Sequence, residues 1–187
     1  VRPVAFAPDP TSLIVVADDP DALGPLFEAV AGEYEDAPRA LSPMGYTIDR
    51  YGRLVPYVAP AQHPLATTVV RAERMLASVE YETQRSVLQE DDEATGYFVA
   101  GCLLAKRADG TAFTMASWGT PVPTLLPLVD YVAVSDGAGP QALVPWQALV
   151  DEDLLDEAVE FRPTRFRIEG APRPDVLARL AERATRP

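Results

Sequence analysis

Hydrophobic spacing along this chain predicts an α+β fold: a mostly antiparallel sheet built from hairpins, with one long helix packed across a face. Three observations carry that expectation. Asp109-Gly110 sits between two apolar runs, 97–106 and 111–118, and an Asp-Gly pair between such runs is a strong short-range hairpin signal. Two further pairs of short apolar runs flank the turn-rich segments 49–52 and 136–140. Between the hairpins, Leu65, Val69, Ala72, Leu76 and Val79 recur at spacings of four and three, which draws one buried stripe along a helix.

The elements follow in order. Residues 12–17 are short, apolar and β-branched and are bracketed by Pro10 and Asp18-Asp19-Pro20, so they read as a buried strand. Asp19 or Asp21 suits an N-cap and Pro20 a first helical turn. With Leu23, Leu26, Phe27 and Val30 at helical spacing, they predict a helix over 21–35. Gly24-Pro25 falls in its first turn, where proline is tolerated. Residues 44–59 read as a hairpin around Asp49-Arg50-Tyr51-Gly52, and Pro56, which lacks an N–H for the ladder, assigns the second strand to an edge. After a break at 60–64, the long helix runs from Leu65 to Asp91, with Val87 and Leu88 extending its apolar set and Arg71, Arg74, Glu80, Glu82 and Arg85 on its wet face. The acidic run 89–93 at its end opposes the helix dipole. Beyond the 96–118 hairpin, Pro121, Pro123 and Pro127 predict a stiff extended connector over 119–127. Residues 128–135 and 141–144 form another hairpin. Pro145-Trp146 then opens a short helix over 146–158 that carries Leu149, Val150, Leu154 and Leu155 inward. Residues 161–169 alternate as a half-exposed strand, with Arg165 and Arg167 on one side and Phe166 and Ile168 on the other. Pro174-Asp175 opens a final helix with Val176, Leu177 and Leu180, ending near Arg183. The alternation of a doubly wound βαβ fold is absent, as is any repeat of fixed period.

A chain of 187 residues is sized for one α+β domain, 1–187, with a division into 1–60 and 61–187 as the alternative at the proline break. The single Cys102 excludes an intramolecular disulfide and reads as a small core residue. No run is long enough for a transmembrane helix and the first residues lack a signal-peptide core, so the expected location is cytoplasmic. Lys106 is the only lysine, which points to a GC-rich coding sequence of bacterial type. The formal charge of −12 disfavours nucleic acid and anionic membranes and favours a basic partner. The charge is uneven: residues 161–187 hold Arg162, Arg165, Arg167, Arg173, Arg179, Arg183 and Arg186 against Glu169, Asp175 and Glu182. This basic island is expected to dock on the chain's own acidic surface.

The motifs for dinucleotide, P-loop, nucleophile-elbow, zincin and EF-hand chemistry are all missing. The one histidine, His63, lies at a helix entrance and reads as a surface or capping residue. The sequence therefore favours a non-catalytic binding or regulatory module, without a cofactor, that engages a basic protein partner or pairs as a homodimer. The acidic stretches 80–93 and 151–160 are its candidate surfaces. Two alternatives use named side chains. A carboxylate-based metal-dependent hydrolase would draw on Glu73, Glu80 and Asp91, the first two being two helical turns apart. A small-anion sensor would use Arg165 and Arg167 on one strand face together with Arg162, the same arginines that serve as an anion or partner site.

Overall fold

The structure, a computed structural model, describes residues 2–89, 96–135, 142–170 and 172–185. It has the expected mixed content, with antiparallel-dominated sheets and a long helix packed against them. The chain divides into two compact units, Val1–Leu76 and Ala77–Pro187.

The first unit contains β1 (Pro3–Phe6), β2 (Ile14–Ala17), α1 (Pro20–Asp36), β3 (Tyr46–Ile48), β4 (Leu54–Pro56) and the beginning of α2 (Ala66–Gln89). Its sheet is antiparallel throughout, in the order β2-β1-β3-β4. Pro56 lies on an edge strand, where its missing N–H costs no ladder bond. Val4 and Phe6 are fully buried and cluster with Leu23, Phe27, Val30, Tyr57, Leu65, Val69 and Ala72. Each large side chain in such a cluster contributes roughly 1.5–3 kcal/mol by leaving water. Phe6 and Phe27 meet edge to face at 4.8 Å. Gly45 makes room for that pair, since a Cβ there would stand 3.1 Å from the Phe27 ring and 3.2 Å from Phe6. Asp19 caps α1, its side chain accepting from the Asp21 N–H at 3.1 Å.

The second unit takes the rest of α2 and then β5 (Phe98–Val99), β6 (Leu103–Lys106), β7 (Ala112–Gly119), β8 (Thr124–Pro127), β9 (Tyr131–Ser135), β10 (Ala142–Pro145), α3 (Trp146–Asp151), β11 (Asp156–Ala158), β12 (Arg165–Ile168) and α4 (Pro174–Glu182). Its sheets run β10-β9-β7-β6 and β11-β12-β8-β5, with β7–β9 and β5–β8 the parallel pairs among the described residues. The Asp109-Gly110 hairpin forms between β6 and β7, with Gly110 at φ +84°. Trp118, Leu126, Val132, Leu149 and Leu180 centre the core, and Ala77 and Tyr81 of α2 pack into it.

Several elements differ from expectation for physical reasons. β1 was not anticipated: four residues between prolines carry too short a pattern to stand out. β2 is not buried but an edge strand, with Ile14 and Val16 half inside and Val15 59% exposed. Pro25 lies inside α1 rather than in its first turn. On α2, Val79 and Val87 face water while Tyr81 is buried, because its ring fills the core and its hydroxyl still finds the Thr164 carbonyl at 2.7 Å. The run 97–106 breaks into two strands of different sheets. The connector 119–127 holds a wholly buried strand, β8, because its prolines flank the Leu125-Leu126 centre and leave those N–H groups for the ladder. The helix expected over 146–158 stops at Asp151. Asp153 turns left-handed at φ 53°, acidic residues crowd the dipole's negative end, and 156–158 pairs with β12 instead. β12 is not half-exposed: it is a central strand with Arg165 and Ile168 both buried. The acidic run at the end of α2 from Glu90 on, and the turn 136–140, lie outside the described residues.

Candidate functional site

In the first unit an open groove of about 470 Å³ lies where the β1–β2 turn meets the C-terminal end of α1. The turn is held by Asp9, whose Oδ1 accepts from the Thr11 N–H and hydroxyl, both at 2.6 Å. These bonds, the hydroxyl first, hold the Asp9 carboxyl below its ordinary range and keep it charged. Glu33 reaches the same place from α1 and accepts from Ser12 Oγ at 2.5 Å. Asp36 ends the helix, and Ala37, Pro38 and Arg39 complete the wall.

Three carboxylates therefore line one groove beside the negative end of a helix whose last turn carries no basic residue. The dipole and the three carboxylates add with the same sign and outnumber the one opposing charge, Arg39, so the groove attracts a cation on balance. Pro10, Ala37 and Pro38 supply apolar wall that an Arg or Lys stem can lie along. A second groove, of about 380 Å³ in the second unit, is lined by Phe98, Val122, Ser117, Ser135 and their neighbours, without a charged side chain.

The arginines singled out from sequence occupy three different settings. Arg165 is fully buried. Its Nε donates to Gln84 Oε1 at 2.5 Å, Nη1 to the carbonyls of Ala100 at 2.8 Å and Leu125 at 3.1 Å, and Nη2 to that of Tyr81 at 3.0 Å. Its guanidinium also lies over the Tyr81 ring, 5.3 Å from the centroid. Burial lowers its pKa to about 10, which leaves it cationic at neutral pH. Arg167 is partly exposed and pairs with Glu160 and with Asp156, the latter at 3.6 Å. Arg162 is exposed and donates to the carbonyls of Val159 at 2.5 Å and Phe161 at 2.8 Å. Of the rest of the basic island, Arg179 and Arg183 dock on acidic residues as expected, Arg173 pairs with Asp175 of the island itself at 3.7 Å, and Arg186 lies outside the described residues. Arg179 grips Glu152 through two bonds, at 2.8 and 2.6 Å, and Arg183 meets Asp151 at 2.7 Å. The carboxylates of 151–160 are thus largely engaged by the chain's own arginines.

Of the carboxylates proposed as metal ligands, Glu73 is half-buried in the first unit and burial raises its pKa, while Glu80 is exposed in the second; Asp91 lies outside the described residues. Among the described residues no group of three or more His, Cys, Asp or Glu is placed to hold a metal ion. His63 helps start α2, its Nδ1 accepting from the Leu65 N–H at 3.2 Å. Cys102 is buried, and burial first, then Glu82, pushes its thiol up to about 12. Among the described residues no helix is long and apolar enough to cross a membrane.

Asp9, Glu33 and Asp36 were not singled out from sequence. Their signal was nonetheless present, in the run Glu33-Tyr34-Glu35-Asp36 closing a helix without a basic residue. That Asp9 would join them depends on the β1–β2 turn, which no local pattern reveals. No protein-family model, curated protein or solved structure matches the chain.

Proposed function

We propose that this protein is a non-catalytic binding module whose first unit offers the Asp9–Glu33–Asp36 groove to a basic segment of a partner protein. The observation that carries this reading is the lining of one groove by those three carboxylates at a helix C-terminus, with Arg39 the one cation in its wall. It is supported by the −12 charge, which draws a cationic partner toward the chain from a distance. The acidic residues of 151–160 contribute less, because Arg167, Arg179 and Arg183 already neutralise several of them.

The test is titration of a fluorescent oligoarginine peptide into the protein and into two charge-matched variants. Asp9→Asn with Glu33→Gln and Asp36→Asn keeps the turn's acceptor atoms and removes the groove's negative charge. Asp156→Asn with Glu157→Gln and Glu160→Gln removes as much charge from the second unit. The groove variant is expected to bind about tenfold more weakly than the other. Equal losses in both would mean that only net charge matters, and the groove assignment would fall.

A further inference from the structure

We propose that the free edge of β2 receives an extended strand of that basic partner by β-sheet addition, with the strand's Arg or Lys end seated in the acidic groove. This rests on the basic-partner reading and deepens it by naming the form of the partner's segment.

The register fixes which backbone groups are available. Val4 pairs with Val16, Phe6 with Ile14, and the Asp18 N–H donates to the Arg2 carbonyl at 2.8 Å. Antiparallel ladders alternate, so Ile14, Val16 and Asp18 turn their backbone groups toward β1, and Leu13, Val15 and Ala17 turn theirs away from it. Among the described residues no strand lies beyond β2. The Ala17 carbonyl is taken by the Asp19 N–H at 2.9 Å; Leu13 and Val15 keep both N–H and C=O directed outward, and Ala17 its N–H.

The side chains at this edge match an incoming strand. Leu13 is 74% and Val15 59% exposed. Val15 continues a row across the outer face of the sheet through Ala5, Tyr46 and Pro56, all without charge. Soluble proteins ordinarily blunt such an edge with a charged residue or a bulge, yet Thr11 through Ala17 carries no charge at all.

Charge identifies the occupant. The uncharged edge is bounded by Asp18 and Asp19 at one end and by Asp9 at the other, and Asp9, Pro10 and Thr11 also form the groove wall. The chain runs from the groove wall at 9–11 directly into the edge, uncharged along the strand and net acidic where it ends, with three carboxylates against Arg39. A second copy of the chain would set its own aspartates against these. A partner strand with apolar residues at alternate positions and Arg or Lys at its terminus satisfies both parts. Running antiparallel to β2, as every pair in this sheet does, it brings its C-terminal end past Thr11 into the groove.

The probe is a synthetic peptide of alternating Thr and Val ending in paired Arg, with two controls: the same peptide N-methylated at alternate residues, and one ending in paired Glu. Binding is followed by amide shifts and hydrogen exchange of the full chain. The parent peptide is expected to protect the amides of Leu13, Val15 and Ala17. N-methylation, and separately Val15→Pro, is expected to weaken it roughly tenfold through the lost ladder bonds. The Glu-ended peptide is expected not to bind. Because the N-methylated probe leaves the protein unchanged, the result does not depend on how Val15→Pro folds. Binding that needs Arg but ignores N-methylation would overturn edge addition and leave the groove reading standing; no binding by any peptide would remove both. Sedimentation showing a dimer that Val15→Pro dissociates would assign the edge to a second copy and overturn the proposal.

Discussion

Arg165 is held by one side-chain amide and three main-chain carbonyls, and those partners come from α2, the β5–β6 connection and β8. One guanidinium thereby joins three buried carbonyls and a side-chain amide from separate elements. Arg165→Met keeps much of the volume but takes the donor from the Ala100 carbonyl and Gln84 Oε1, while the Leu125 carbonyl still accepts from the Ala100 N–H at 3.0 Å and the Tyr81 carbonyl stays in the α2 ladder, and we expect a loss of about 2–4 kcal/mol in urea unfolding. Arg165→Lys keeps the charge but cannot reproduce the planar fork, and we expect it to lose about 2 kcal/mol. If Arg165→Lys matches the wild type, the geometry of the fork is irrelevant and charge alone matters. Gly101 serves the same neighbourhood. A Cβ there would stand 2.6 Å from Glu82 Oε1, the oxygen that accepts from the Cys102 N–H at 2.8 Å. Gly101→Ala must shift that carboxylate, the end of a partly exposed side chain, and weaken its bond to the buried Cys102 N–H, so it should cost about 1 kcal/mol. Gly101→Ala with Glu82→Ala tests the cause: if displacement of the carboxylate is what matters, adding Gly101→Ala to Glu82→Ala costs less than Gly101→Ala alone.

At the scale of elements, α4 shows how the basic island serves the fold. Val176 and Leu180 give it a buried stripe, and Arg179 and Arg183 tie it to Glu152 and Asp151 of the α3 end. Hydrogen bonds from Gln147 and Arg183 lower the Asp151 pKa, and bonds from Arg179 lower those of Glu152 and Asp175. A carboxyl lowered in the folded state adds stability above its unfolded value, about 4, and loses it as pH falls through the folded value. Protection of the Val176 and Leu180 amides should therefore fall below about pH 4, before that of β9, and molar salt at neutral pH should produce part of the same loss. Unchanged protection down to pH 2 would show the apolar stripe alone to be sufficient. This helix was legible in sequence, as were α1, the long α2 and the β3–β4, β6–β7 and β9–β10 hairpins, because each carries its cap, period or turn within its own residues. β1, β8 and β11 were not. Their strand character comes from partners distant in sequence: β8 is read as a proline connector until β12 pairs with it. For the same reason Arg165 looked like a half-exposed anion ligand. Alternation along 161–169 reports a two-faced strand and says nothing of whether both faces are covered.

For the molecule as a whole, charge has two effects of opposite sign. A chain of −12 repels itself, so its folded state should gain from screening; the acidic groove attracts a cation, so its binding should lose from the same screening. Raising salt from 0.02 to 0.3 M shortens the Debye length from roughly 20 Å to below 10 Å, which removes most interaction between exposed charges at longer range. We therefore expect the urea midpoint to rise with sodium chloride while the affinity for an arginine-rich peptide falls about tenfold or more. The groove variant should separate the two. Neutralising Asp9, Glu33 and Asp36 removes three like charges while the Asn and Gln oxygens still accept from Thr11 and Ser12, so relief of repulsion should outweigh the loss of charge in the Asp9–Thr11 bonds, raise the midpoint at low salt and flatten both dependences. A midpoint that instead drops on neutralisation would mean that those carboxylates are held by favourable contacts stronger than their mutual repulsion. They would then be part of the scaffold, and the cation site would have to be sought elsewhere on the acidic surface.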